Sequence, residues 1–150
     1  MFKKQYYINA NEGGWTNNEL GKITSNPSLV YGSKPTFELN FVESNGDGGA
    51  VGVDLSDAVS WRAAVDTDFS SATDPMIRAS NADFDTTAVA SGVLNVTLDA
   101  TTSSFFQKID GKQSVNTWLE VRGLDENDAS IYVWQLKVTA MGAVDATGGE

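Results

Sequence analysis

The chain has 150 residues, with 20 acidic against 10 basic side chains and a net charge of −10. It contains no His and no Cys, which excludes metal sites built from imidazole or thiolate, Ser-His-Asp triads, Cys nucleophiles and any disulfide framework. The acidity argues against nucleic acid and anionic membranes, both of which are gripped by clustered Lys and Arg, while 41% hydrophobic and 10% aromatic residues provide for a packed core.

In chain order, Lys3 and Lys4 are followed by Gln5-Tyr6-Tyr7-Ile8-Asn9 without an apolar run. The start therefore reads as neither a signal peptide nor a membrane span. Residues 1–34 are irregular and rich in Asn, Gly and Ser, and they are expected to form an N-terminal extension or extra strands. Within them Leu29-Val30-Tyr31 reads as a short strand.

From Thr36 to Val42 the pattern alternates, with Phe37, Leu39 and Phe41 on one face and Thr36, Glu38 and Asn40 on the other. Asn45-Gly46 inside a Gly-rich run is a hairpin signal. The next strand is expected to bury Val59, Trp61, Ala63 and Val65 and to show Ser60 and Arg62 to water. A polar stretch runs from Asp66 to Pro75, and Ser91-Gly92 opens a strand that buries Leu94, Val96 and Leu98. The segment Asp99–Ile109 reads as a short helix, with N-cap candidates at Asp99, Thr101 and Thr102 and an apolar stripe of Phe105, Phe106 and Ile109, stopped by Gly111. Two long strands follow, burying Leu119 and Val121, then Tyr132, Trp134, Leu136 and Val138, joined by a loop over Gly123–Asp128. On the last strand Ile131 and Val133 occupy the second face, which points to cover on both sides or to a partner chain. The stretch 143–150 has no strand or core signal and reads as a flexible tail or linker.

Short alternating strands between frequent turns predict an all-β fold, an antiparallel immunoglobulin-like sandwich of about seven to nine strands with one short helix near 101–109. A jelly roll or small barrel is the alternative. The sandwich is expected to occupy residues 35–142.

Three constellations bear on chemistry. Asp66, Asp68 and Asp74 loosely follow the spacing of a calcium loop but lack its turn glycine and terminal bidentate Glu, so a solvated loop is the simpler reading. Asp125, Glu126 and Asp128 crowd one hairpin tip, where acids more commonly protect strand edges and keep a protein soluble than act as a hydrolase pair. The aromatics Tyr6, Tyr7, Trp15 and Tyr31 lie where a core role is least obvious, and Trp118 alternates outward beside Leu119 and Val121. They are read either as interface and edge-packing groups or as sugar-stacking platforms. The glycines form neither a dinucleotide nor a phosphate loop motif. No catalytic residue and no cofactor is expected.

The stretch from Pro35 to Ala140, with the segments VDLSDAVSWRAAV, SGVLNVTLDATTSSFF and TWLEVRGLDENDASIYVWQLKVTA, resembles a tailed-phage virion domain. The family is the N-terminal immunoglobulin-like β-sandwich of baseplate upper proteins and related tail-fibre attachment domains. That resemblance implies a non-enzymatic structural part of a phage tail, baseplate or fibre, made in the host cytoplasm and located in the virion. It also implies a homo-oligomer such as a trimer that docks to other virion proteins, with no catalytic residues to carry over. The alternative function is a carbohydrate-binding module using exposed aromatics. Tyr6, Tyr7, Trp15, Tyr31, Trp118, Ile131 and Val133 are the candidate interface or ligand residues.

Overall fold

A computed structural model describes residues 3–21, 23, 25–68, 75–110 and 113–142. The chain forms the expected all-β sandwich with one short α-helix. The strands are β1 (Lys3–Asn9), β2 (Trp15–Thr16), β3 (Ser28–Val30), β4 (Thr36–Ser44), β5 (Ala50–Gly52), β6 (Ser60–Asp66), β7 (Ile77–Ala79), β8 (Phe84–Asp85), β9 (Val93–Thr97), β10 (Ser114–Leu124) and β11 (Ser130–Met141), with α1 (Ser103–Ile109) between β9 and β10.

The first sheet runs β2-β1-β4-β9-β8, with β5 also on β4; the second runs β3-β11-β10-β6-β7. The sheets are mixed rather than antiparallel throughout, because β1 pairs parallel with β4 and β3 pairs parallel with β11. Parallel neighbours need long crossover connections: residues 10–35 join β1 to β4, and the chain from β4 to β10 separates β3 from β11. Residues 36–40 of β4 pair with β9 and residues 42–44 with β5. Since β1 lines the other edge of β4 as far as Val42, β9 and β5 lie end to end along one edge.

Alternation does what the pattern requires. Phe37, Leu39 and Phe41 from β4, Leu94 and Val96 from β9, Leu119 and Val121 from β10, and Leu136 and Val138 from β11 are all buried in one core. Trp61 lies at its centre, 1% exposed, stacked on Tyr132 at 6.0 Å and on Trp134 at 6.5 Å between ring centroids. Two indoles pin the layers together: Trp134 Nε1–H donates to the Ala10 carbonyl at 3.0 Å, and Trp15 Nε1–H donates to the Lys137 carbonyl at 2.7 Å.

Three local expectations are corrected. Val59 is 63% exposed, because the strand begins one residue later and the Val59 amide bonds back to the Leu124 carbonyl. Phe106 is 39% exposed while Phe105 and Ile109 are buried, so the helix stripe is narrower than expected. Gly123 and Leu124 belong to β10 and not to the loop, since Gly123 pairs with both Trp61 and Tyr132 and leaves the space in which those rings meet. The helix stop at Gly111 and the stretch 143–150 lie outside the described residues.

The helix is capped by Thr102, whose hydroxyl accepts from the Phe105 amide. It is tied to the second sheet by Lys108, whose Nζ sits 2.7 Å from Oδ1 of Asp66. The Asp66 side chain is only 8% exposed. Removing the cation leaves a carboxylate in a desolvated site. Lys108→Met is therefore expected to lower unfolding free energy by about 2–4 kcal/mol in urea titration, with Asp66→Asn in the same chain recovering part of the loss.

Candidate interaction surface

The outer face of the second sheet is assembled by register. Strand residues of the opposite parity to the core point outward, so β6 presents Arg62, Ala64 and Asp66, β10 presents Trp118, Glu120 and Arg122, and β11 presents Val133, Gln135 and Lys137. Pairing sets these in rows: Arg62 opposite Arg122 opposite Val133; Arg78 of β7 opposite Ala64, then Glu120 and Gln135; Asp66 opposite Trp118 opposite Lys137. A depression of about 560 Å³ opens on this face, with Ala64 as a small residue between Arg78 and Glu120, and with Arg62, Arg122 and Trp118 also at its walls. Trp118 also borders a second depression of about 420 Å³, which reaches Trp15 and Ile23.

The charges on this face differ in how they are compensated. Arg122 Nε–H donates to Glu120 Oε1 at 2.6 Å, its Nη1 lies 3.0 Å from the Ser130 hydroxyl, and Gln135 Nε2–H donates to the other Glu120 oxygen at 2.9 Å. The ammonium of Lys137 lies 5.4 Å from the Trp118 ring centroid, a cation–π contact. Arg62 and Arg78 are exposed and make no side-chain hydrogen bond or ion pair among the described residues.

The hydrogen bond from Arg122 holds the Glu120 carboxyl below its ordinary 4.5, and raises the guanidinium in turn. A carboxylate depressed in the folded state contributes stability above its unfolded value and loses it as pH falls through the folded value. The wild-type urea midpoint is thus expected to fall between about pH 5.5 and about pH 3. Glu120→Gln is expected to show a smaller fall over the same interval.

The sequence-derived candidates divide. Trp118, Ile131 and Val133 do lie on this outer face, the latter two 40% and 43% exposed. Trp15 meets Trp118 only at the second depression, and Tyr6 and Tyr31 do not join them. Tyr6 packs half-buried against Phe37 and Trp15 with centroids at 4.9 and 5.5 Å, and burial raises its hydroxyl pKa. Tyr31 lies against Phe105 and Phe106 at 6.3 and 5.0 Å. Tyr7 is half-buried in β1, paired with Thr16 and Asn40. Of the calcium candidates, Asp66 is engaged by Lys108, Asp68 is exposed, and Asp74 lies outside the described residues. Among the described residues no group of three or more acids is placed to hold a metal ion. At the hairpin tip, Asp125 Oδ1 accepts from the Asn127 and Ala129 amides and so shapes the turn, while Glu126 and Asp128 project into solvent.

Sequence reading misses the arginines. Arg62, Arg78 and Arg122 are the only arginines in the chain, and each stands at an outward position of a neighbouring strand. The parity of Arg62 is legible; its meeting with the other two depends on register across three strands.

The sandwich as a whole has a counterpart among solved structures. It is similar to the N-terminal domain of phage TP901-1 ORF48. The two share 10% sequence identity with a TM-score of 0.51, and the match covers 95% of this chain and 98% of that one. At this identity the likeness is one of fold. No family model and no curated protein sequence matches the chain.

Proposed function

We propose that this chain is a non-enzymatic structural component of a phage particle, belonging to the tail, baseplate or fibre, and working by homo-oligomeric assembly and by docking to other virion proteins. The observation that carries this reading is the fold likeness to the N-terminal domain of phage TP901-1 ORF48, which spans nearly all of both chains. The likeness extends over the whole domain and not over one part of it. The surface chemistry supports the reading. An open sheet face carries arginine, tryptophan and aliphatic groups, the composition of protein contacts.

Mass spectrometry of density-banded phage particles tests it. Peptides of this chain are expected to stay with the particles at a constant ratio to the major tail proteins through repeated banding. Their loss on banding would falsify the proposal.

A further inference from the structure

We infer that the arginine face of the second sheet receives the acidic β10–β11 hairpin tip of a second copy of this chain, in a head-to-tail contact. This deepens the assembly reading above and rests on it.

The argument begins with net charge. Copies carrying −10 repel one another on average, so association requires a surface where the sign inverts. The outer face of the first sheet does not supply one: Lys3 of β1 lies 3.9 Å from Glu38, and the other β4 and β9 positions are Thr36, Asn40, Asn95 and Thr97. The second sheet does: it collects every arginine in the chain, and of the acids lining the same depression Asp66 is paired with Lys108 and Glu120 with Arg122, with Asp68 the third. Arg62 and Arg122 stand directly opposite each other across β6 and β10, an arrangement that costs stability between like charges. Among the described residues only Arg122 is compensated, by Glu120. Arg62 and Arg78 are two guanidiniums without partners among the described residues, beside a depression with Trp118 on its wall and Ile131 and Val133 exposed on the same sheet face. Arg and Trp at a concave site are the groups that most often anchor protein contacts.

The occupant must bring exposed carboxylates. The β10–β11 hairpin ends in an exposed acidic turn over residues 125–128. Asp125 spends its carboxylate on the turn amides, which fixes the tip and leaves Glu126 and Asp128 exposed and without partners among the described residues. Two free carboxylates thus answer two free guanidiniums. Within one chain the tip carboxylates make no hydrogen bond or ion pair to Arg62 or Arg78 among the described residues. The contact is therefore between different patches on two copies, which generates rings or open chains rather than a two-fold dimer.

Charge exchange tests the proposal by sedimentation velocity on the full chain. Wild type is expected to self-associate at low salt and to dissociate progressively as ionic strength is raised. A face variant, Arg62→Glu with Arg78→Glu, and a tip variant, Glu126→Lys with Asp128→Asn, should each weaken self-association by about 100-fold. Asn is chosen at 128 because this residue has φ 61°, a left-handed conformation that Asn tolerates. Mixed in equal amounts, the two variants retain one good tip and one good face between them and should form a 1:1 dimer that neither forms alone. That outcome also shows that both variants are folded. Wild type that stays monomeric at low salt, variants that associate as wild type does, or a mixture that stays monomeric each overturns the inference. None of those results bears on whether the chain is found in purified particles, so the particle assignment and this contact fail separately.

Discussion

Trp61→Ala is expected to destabilise the fold by about 3–5 kcal/mol, a large part of the roughly 5–15 kcal/mol available to a domain of this kind. The size of the effect follows from position. The ring is 1% exposed. It stacks nearly parallel to Tyr132 and Trp134, at interplanar angles of 1° and 7°, and also meets Phe84 of the opposite sheet at 6.4 Å. Truncation removes the transfer free energy of the indole and leaves a cavity whose walls cannot collapse, because Trp134 is held to the Ala10 carbonyl by its own N–H. The backbone bond from the Trp61 amide to Asn81 Oδ1 remains in the variant, so the loss reports on packing alone. Thermal unfolding followed by far-ultraviolet circular dichroism should show Tm lowered by roughly 6–20 °C. Trp61→Phe should lose markedly less. A Tm within about 2 °C of wild type for the Ala variant would show that the stack is dispensable.

The same stack shows what sequence can and cannot convey. Period-two alternation locates β4, β9, β10 and β11 and assigns Trp61 and Trp134 to the core, because each of those strands has one wet and one buried face. It reads Gly123 as the start of a turn. The glycine's role is instead to leave room: a Cβ there would stand 2.9 Å from the rings of both Trp61 and Tyr132. That role depends on strands from two other parts of the chain and has no local signature.

The parallel pairings are hidden for a similar reason. Strand β1 presents Lys3, Lys4 and Gln5 to solvent and buries fully only Ile8, so its periodicity is faint. Its partner is β4, some thirty residues on, with no hairpin turn to announce the pairing. Strand β3 has three residues and lies against the far end of β11. The arginine face shares this property. Each arginine reads alone as an ordinary outward residue, and only cross-strand register brings the three together.

Gly92→Ala is expected to cost about 2–5 kcal/mol, by two mechanisms that add. Gly92 has φ 83° and ψ 18°, the left-handed region, where a Cβ is strained by roughly 1–2 kcal/mol. The Cβ would also stand 2.6 Å from the Phe41 carbonyl oxygen and 2.8 Å from both the amide nitrogen and the carbonyl oxygen of Val53. All three are backbone atoms, so no rotamer change can relieve the contact. They lie at the point where β4 exchanges β9 for β5. There the Phe41 amide donates to the Gly92 carbonyl at 2.7 Å, and the Phe41 carbonyl accepts from the Val53 amide at 2.9 Å. Moving Gly92 away therefore stretches the bonds that seat Phe41 in the core, 4.3 Å from Trp134. A position with only a left-handed φ behaves differently: at Gly46, with φ 88° in the exposed β4–β5 turn, an added Cβ would meet no atom within 4 Å. Gly46→Ala should lose only the conformational part, about 1–2 kcal/mol. Urea titration of the two variants beside wild type separates strain from steric exclusion. Equal losses would mean that the backbone at Phe41 gives way, and that the junction of β9 and β5 is softer than its contacts imply.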